Sequence, residues 1–148
     1  MPIHQYKEGL LNALSNHYHT YQNLYKLSKK QNDFLKKKEL NSLFETNPKK
    51  QNLVESLKLS EKEINQYQRK WNDLRGNLSF EDRQEVQKVL ENIQSVVKDL
   101  LSIENENKKL LEDKKSEVKS DLSKLSMNKR NIKKYILQRQ LYRQEKMQ

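Results

Sequence analysis

The chain of 148 residues contains no cysteine, only two glycines and only two prolines. Without cysteine it can form neither a disulfide framework nor a zinc ribbon, and it has no thiol nucleophile, which fits a reducing cytoplasm. A sheet with several hairpins needs glycine and proline in its turns repeatedly, and this chain has too few of either. We therefore predict an all-α protein.

Long apolar runs are also missing. No stretch approaches the roughly 18 to 20 apolar residues of a membrane span, and the first eight residues lack the segments of a signal peptide. We therefore expect a soluble, cytoplasmic protein without stable membrane insertion. Lys and Arg outnumber Asp and Glu by 30 to 20, giving a formal net charge of +10. An anionic partner is therefore a hypothesis to be weighed.

Two breaks divide the chain into three predicted helices. At Asn47-Pro48 the residue before proline avoids the helical region, while asparagine followed by proline begins a helix well. At Arg75-Gly76-Asn77-Leu78-Ser79 the glycine suits a helix end, and Ser79 with Asp82 resembles a capping box. The predicted helices cover about residues 5–46, 48–75 and 79–145 of a single all-α domain, 1–148.

Apolar residues recur at helical spacing in all three segments. The second segment is the most regular, because its intervals of four and three residues alternate, as in a seam that packs against neighbours at a shallow angle. We therefore predict an elongated antiparallel three-helix bundle or coiled coil. The seam residues are Leu53, Leu57, Ser60, Ile64, Tyr67, Trp71 and Leu74.

The unequal helix lengths predict a long overhanging C-terminal helix. At about 1.5 Å per residue the three helices would be roughly 63, 42 and 100 Å long, so the third would pass the end of the first near residue 106. Residues 107–148 would then have no intramolecular partner. An apolar stripe along this segment would then be a binding surface, a dimer seam or a segment that folds on contact. The alternative is that the helix bends after Ser123 and packs back onto the bundle. The stripe contains Leu110, Leu111, Val118, Leu122, Leu125, Ile132 and Ile136.

Catalytic and cofactor-binding patterns are absent from the sequence. His17 and His19 stand two apart and point to different helix faces, whereas a helical zinc pair needs a spacing of four. Gly9 and Gly76 are too far apart to form a phosphate-binding loop. We therefore predict no enzyme, no cofactor and no metal site.

Positive charge is concentrated in two regions. Residues 26–50 contain eight lysines against three acids, and residues 127–148 contain seven basic residues against one acid. A basic amphipathic helix can bind an acidic protein, a membrane surface or nucleic acid, or can simply be solvated. No groove-reading helix or aromatic platform accompanies the charge, so we do not expect nucleic acid as the partner.

One segment of the third helix carries a family resemblance. Asn105-Glu106-Asn107-Lys108-Lys109-Leu110-Leu111-Glu112 resembles the asparagine followed by paired leucines of the flagellar export chaperones of the FlgN type. The long first helix, the Glu- and Lys-rich second helix with Trp71, and the long third helix are similar to that family over nearly the whole chain. The resemblance implies a cytoplasmic chaperone of type III flagellar export without catalysis.

The resemblance also implies partners and residues. Such a chaperone binds the C-terminal helices of hook-filament junction proteins, prevents their premature assembly and delivers them to the export gate. We expect a monomer or a weak homodimer. The alternative is a structural coiled-coil tether or homodimeric scaffold. The implied cargo contacts are Leu110, Leu111, Val118, Leu122 and Leu125, with Ile132 and Ile136 on the same stripe and Tyr135 as an export-gate contact.

Overall fold

Four α-helices make up the part of the chain that the computed structural model describes, which is residues 2–124 without the side chains of residue 118 and residues 120–124. They are α1 (Ile3–Lys36), α2 (Leu40–Gln68), α3 (Trp71–Leu74) and α4 (Phe80–Lys124), with a 3₁₀ turn at Arg75–Asn77 between α3 and α4. The prediction of an all-α helical bundle is confirmed. The predicted continuation of the last helix to about residue 145 lies outside the described residues.

The first helix ends ten residues before the predicted position. The chain turns at Lys38, whose φ of 59° is left-handed. The Glu39 N–H donates to the Phe34 carbonyl at 2.9 Å, and the Lys38 N–H donates to the Leu35 carbonyl at 3.3 Å. These two bonds form a Schellman motif. Because a lysine occupies the position that glycine usually holds, no glycine marks this helix end in the sequence.

The predicted break at Asn47-Pro48 is wrong, because Pro48 lies inside α2. A proline inside a helix removes one backbone hydrogen bond and crowds the preceding turn. Here the helix is packed on both sides of the proline, since Leu43, Thr46 and Lys50 are all buried. Tertiary packing therefore keeps the helix continuous through a residue that would end it in isolation.

The second predicted break is confirmed, with an earlier end to α2. That helix stops at Gln68, and α3 and the 3₁₀ turn occupy most of the interval up to the start of α4. The Asp82 N–H donates to Ser79 Oγ at 3.1 Å. Ser79 is therefore the N-cap of α4, as its spacing to Asp82 predicted.

The chain forms two compact units, each built from parts of α1, α2 and α4. Unit I is Met1–Lys26 with Gln51–Leu100, and unit II is Leu27–Lys50 with Leu101–Gln148, of which residues up to 124 are described. A single domain over 1–148 stays a prediction.

The core of unit I is apolar. Leu57 and Ile64 of the predicted seam are buried, and Tyr67, Trp71 and Leu74 pack against the core around Ile64. Trp71 is therefore a packing residue of this core. The Tyr6 hydroxyl donates to the main-chain carbonyl of Tyr67 at 2.8 Å, which pairs the start of α1 with the end of α2. The buried members of the cluster are Tyr6, Leu10, Ala13, Leu14, Ile64 and Val86.

Candidate partner-binding surface

The first two residues of the predicted cargo stripe lie in the core of unit II. Leu111 is 2% exposed and forms a cluster with Leu35 and Leu43, and Leu110 packs against that cluster. The expectation that the stripe is uncovered from residue 107 onwards is therefore wrong for these two leucines. Covered side chains of this kind stabilise the unit by removing apolar area from water.

The early position of the first turn explains why these leucines are covered. Because α1 ends at Lys36, α2 and the short helices after it return further along α1 than predicted. In unit I, Lys7 Nζ lies 2.8 Å from Asp82 of α4, so α4 begins near residue 7 of α1. The overhang calculation placed α4 too far along α1 for this reason.

Asn107 of the family motif is fully buried in unit II, at 0% exposure. Its side-chain amide donates to the main-chain carbonyl of Ser28 at 2.9 Å. Its side-chain oxygen accepts a hydrogen bond from Asn32 at 2.9 Å. Both ends of the amide are therefore bonded to α1, which removes the penalty of burying it.

A buried ion pair connects α4 to α2 in the same unit. Lys50 is 1% exposed, and its Nζ lies 2.8 Å from each carboxylate oxygen of Glu104. The ammonium also donates to Gln31 Oε1 at 3.0 Å, and the Ser28 hydroxyl donates to Glu104. Gln31 in turn donates to Thr46 at 3.0 Å. The charges are thus paired and further hydrogen-bonded, which a buried ion pair requires.

Unit II has a polar core as a result. Six of the seven buried polar side chains of the described residues belong to it, whereas it holds three of the fourteen buried apolar ones. Hydrogen-bond geometry therefore decides the packing of unit II to a greater extent than it does in unit I.

Two exposed ion pairs extend the contact between α1 and α4. Lys36 Nζ lies 3.3 Å from Glu106, and Lys38 Nζ, in the turn after α1, lies 3.2 Å from Glu117. The hydrogen bonds from Lys36 and Lys38 hold the pKa values of Glu106 and Glu117 below the ordinary value. Among the described contacts between these segments, the pair at Glu117 lies furthest along α4.

The remaining predicted site residues follow Glu117. Val118 and Leu122 are positions of α4 whose side chains are outside the described part of the chain. Leu125, Ile132, Tyr135 and Ile136 lie outside the described residues altogether. The chain that follows Ser123, where the alternative of a bend applies, lies outside them too except for Lys124.

The sequence matches the model of a known protein family. The family model described as FlgN protein matches residues 1–142 of this chain. The chain belongs to the FlgN family. This family consists of flagellar export chaperones that bind flagellar protein cargo and is not an enzyme family. No curated protein and no solved structure matched.

Sequence reasoning missed most of the polar core of this FlgN-family chain. A signal was available, since Ser28, Gln31, Asn32 and Leu35 follow one another at intervals of three, one and three and so share one face of α1. That face continues the helical spacing of Tyr18, Tyr21 and Tyr25 in the same helix. It was not recognised as a core face because three of its four members are polar.

The charge of this FlgN-family chain is divided unequally between the units. The residues assigned to unit I include ten basic and ten acidic side chains, so that its formal charge is zero. The described part of unit II contains thirteen lysines and nine acids, and residues 125–148 add seven basic residues and one acid. The +10 of the chain therefore comes entirely from the segments assigned to unit II.

Unit I contains a cavity of about 370 Å³ between its helices. No aspartate, glutamate, histidine, lysine or arginine is among its lining residues, so it offers no general acid or base of those types. The lining is Tyr6, Leu10, Leu14, Ile64, Gln68, Trp71, Asn72, Val86, Gln87 and Leu90.

Within residues 2–124, no three His, Cys, Asp or Glu side chains come together in a group that could hold a metal ion. The only buried histidine in that range is His17, whose Nδ1 lies 2.6 Å from Ser60 Oγ. The described helices lack the long apolar segment that a membrane span needs.

Proposed function

We propose that this FlgN-family chaperone acts in the cytoplasm and binds the C-terminal helices of hook-filament junction proteins through the stripe that follows Glu117. The observation that carries the proposal is the continuation of the buried face of α4. Val118 and Leu122 stand seven and eleven residues after Leu111, a spacing that keeps them on one helix face. Leu125, Ile132 and Ile136 continue the pattern in the sequence.

The physical basis is capture of one amphipathic helix by another. The apolar face that the junction proteins use for assembly would be buried on the chaperone, which prevents their premature assembly. An interface of ordinary size, about 800 Å² on each partner, would suffice. Leu110 and Leu111 remain core residues of unit II in this proposal, so the cargo contacts begin at Val118.

Delivery to the export gate is the second part of the proposal. Tyr135 is the residue we propose for the gate contact, on the strength of the family resemblance. The basic residues around it would favour an acidic surface on the gate. Lys129, Arg130, Lys133, Lys134 and Arg139 are the nearest of these.

Capture from lysate of the source bacterium tests the cargo proposal. Full-length chain is compared with Leu122→Asp/Leu125→Asp, and bound proteins are identified by mass spectrometry. The matched control is Ser120→Asp/Ser123→Asp, which adds the same two charges about half a helical turn away. We expect the wild type and the control to retain junction proteins and the leucine variant to lose them.

Light scattering distinguishes the alternative of a homodimeric tether. A chaperone of this kind is mostly monomeric in dilute solution, whereas a tether forms a dimer that persists on dilution. Retention of no flagellar protein, together with a dilution-stable dimer that Leu122→Asp/Leu125→Asp converts to monomer, would overturn the proposed function.

A further inference from the structure

The family motif contains one side chain with an unexpected role. Asn107 is fully buried and bonded at both ends of its amide to α1. A residue in that position has no atom left to offer a partner protein. We propose that Asn107 is a positioning residue that fixes the register of α4 on α1, and so places the cargo stripe, and that it does not contact cargo.

Among the described residues, Leu111 is the only buried apolar side chain that α4 contributes to unit II. A slide of one turn would put Ile103 or Leu111 in the place of Asn107. The amides do not tolerate such an exchange. After the slide Asn32 would face an apolar side chain and Asn107 would lose the Ser28 carbonyl, leaving polar groups buried without partners.

A single buried asparagine is known to specify register in helical packing at some cost in stability. In this unit the effect is strengthened by the ion pair of Lys50 with Glu104, which stands three residues before Asn107 on α4. The hydrogen bonds of Asn107 connect α4 to α1, and the ion pair of Glu104 connects α4 to α2.

Register matters for cargo because the proposed contacts are on the same helix. Val118 and Leu122 follow Asn107 by eleven and fifteen residues. A slide of one turn would move them by about 5.4 Å along the axis relative to α1 and α2. This inference rests on the proposed cargo function for its consequence, although the register itself can be measured without cargo.

The test uses Asn32→Leu/Asn107→Leu in the full-length chain. Replacing both members of a buried polar pair by apolar residues is often neutral or stabilising, so this variant should fold with an unchanged or higher melting temperature. The control is Asn105→Leu, an exposed position two residues before Asn107.

The register is measured by cross-linking between introduced cysteines. Since the chain has no cysteine of its own, only the introduced pair can react. Lys36→Cys with Glu106→Cys reports the observed register, since those side chains meet across an exposed ion pair. Lys36→Cys paired with Ser102→Cys or Lys109→Cys reports a slide in either direction. A short bismaleimide joins the pairs, and cargo affinity is measured with a synthetic peptide of the C-terminal helix of a junction protein from the same organism.

We expect Asn32→Leu/Asn107→Leu to shift the cross-link of position 36 from position 106 to position 102 or 109. The same variant should weaken peptide binding at least tenfold. The Asn105→Leu control should change neither. Weakened binding with an unchanged cross-linking pattern would mean that the asparagines act on cargo in another way and would overturn the inference. Unchanged binding and unchanged cross-linking would overturn it too.

Two further outcomes are also decisive. If the leucine pair does not fold, Asn107→Asp is measured identically, since it keeps the acceptor for Asn32 and loses the donor to Ser28. If the wild-type chain binds no junction peptide, the proposed function fails, and the cross-linking pattern alone still decides whether Asn107 sets the register.

Discussion

Gly9 of α1 lies against the ring of Tyr67 of α2 so closely that a Cβ on Gly9 would be 2.7 Å from the ring carbon Cζ. Real carbon contacts are not this short, so the Tyr67 ring can occupy this place only because residue 9 is glycine. The Tyr6 hydroxyl bond to the Tyr67 carbonyl stands beside this contact. The Tyr67 ring therefore fills space that a side chain at position 9 would need.

Gly9→Ala should destabilise the protein by about 1–3 kcal/mol, because the added methyl group overpacks the contact with Tyr67. The sign is diagnostic, since alanine in a helix interior normally stabilises by roughly 0.5–1 kcal/mol relative to glycine. In a Tyr67→Leu background, which lacks the ring atoms nearest to Gly9, the same change should become neutral or stabilising. Urea unfolding of the four proteins measures this, and equal costs in both backgrounds would contradict the account.

Lys38→Gly should stabilise the protein by about 1 kcal/mol, because a left-handed φ costs a lysine more than a glycine. Loss of the ion pair with Glu117 should matter little, since both side chains are exposed. The control is Lys37→Gly one residue earlier, which has no positive φ to relieve and should lose about 0.5–1 kcal/mol. Thermal unfolding gives both values, and a stabilisation by both substitutions would argue against strain at Lys38.

The location of that turn shows where sequence reasoning about the fold succeeds and where it fails. The all-α class, the seam around Ile64 and the N-cap at Ser79 follow from local chemistry and were predictable. The turn at Lys38 was not, because its Schellman bonds involve only backbone atoms and its left-handed residue is neither glycine nor asparagine. Pro48 predicted a helix break that does not occur, because packing of the residues around it outweighs the cost of a proline inside a helix.

Acidification below about pH 6.5 should weaken the fold through His17. Burial lowers the pKa of His17 from the ordinary value of 6.5, with the charge of Glu61 opposing this in part. The unfolded chain therefore takes up a proton at a higher pH than the folded one. The contribution of His17 to stability is complete above pH 6.5 and is lost as the pH falls towards the lower, folded pKa.

Urea unfolding between pH 7.5 and pH 5 measures this effect. His17→Gln should reduce the loss of stability over that range, whereas His19→Gln, at an exposed position two residues away, should keep the wild-type dependence. If both variants lose stability as steeply as the wild type, the folded protein is not discriminating against the protonated form of His17.

Leu111→Ala should cost about 2–5 kcal/mol, because it leaves a cavity beside Leu35 and Leu43 in the core of unit II. The control, Leu101→Ala, removes a leucine that is 59% exposed on the same helix and should change stability by less than about 0.5 kcal/mol. Chemical unfolding followed by circular dichroism gives both values. Similar small effects from the two substitutions would place Leu111 outside the core.

The candidate site was predictable only in part, and the reason is geometric. The apolar spacing of the last helix identified the stripe, but the start of its uncovered portion depended on the level at which α4 begins beside α1. That level was set by one turn near Lys38. The polar core around Asn107 was harder to predict, because the spacing of Ser28, Gln31 and Asn32 shows that they share a helix face but does not show that tertiary partners bury that face.

Photo-cross-linking from the proposed stripe tests the central claim most directly. A benzophenone amino acid is placed at Leu122 or, as the control about half a turn away, at Ser120, and the chain is irradiated with purified junction protein. The account predicts an adduct with the C-terminal helix of that protein from position 122 and much less from position 120. Equal adducts from both positions, or adducts only with a second copy of this chain, would contradict it.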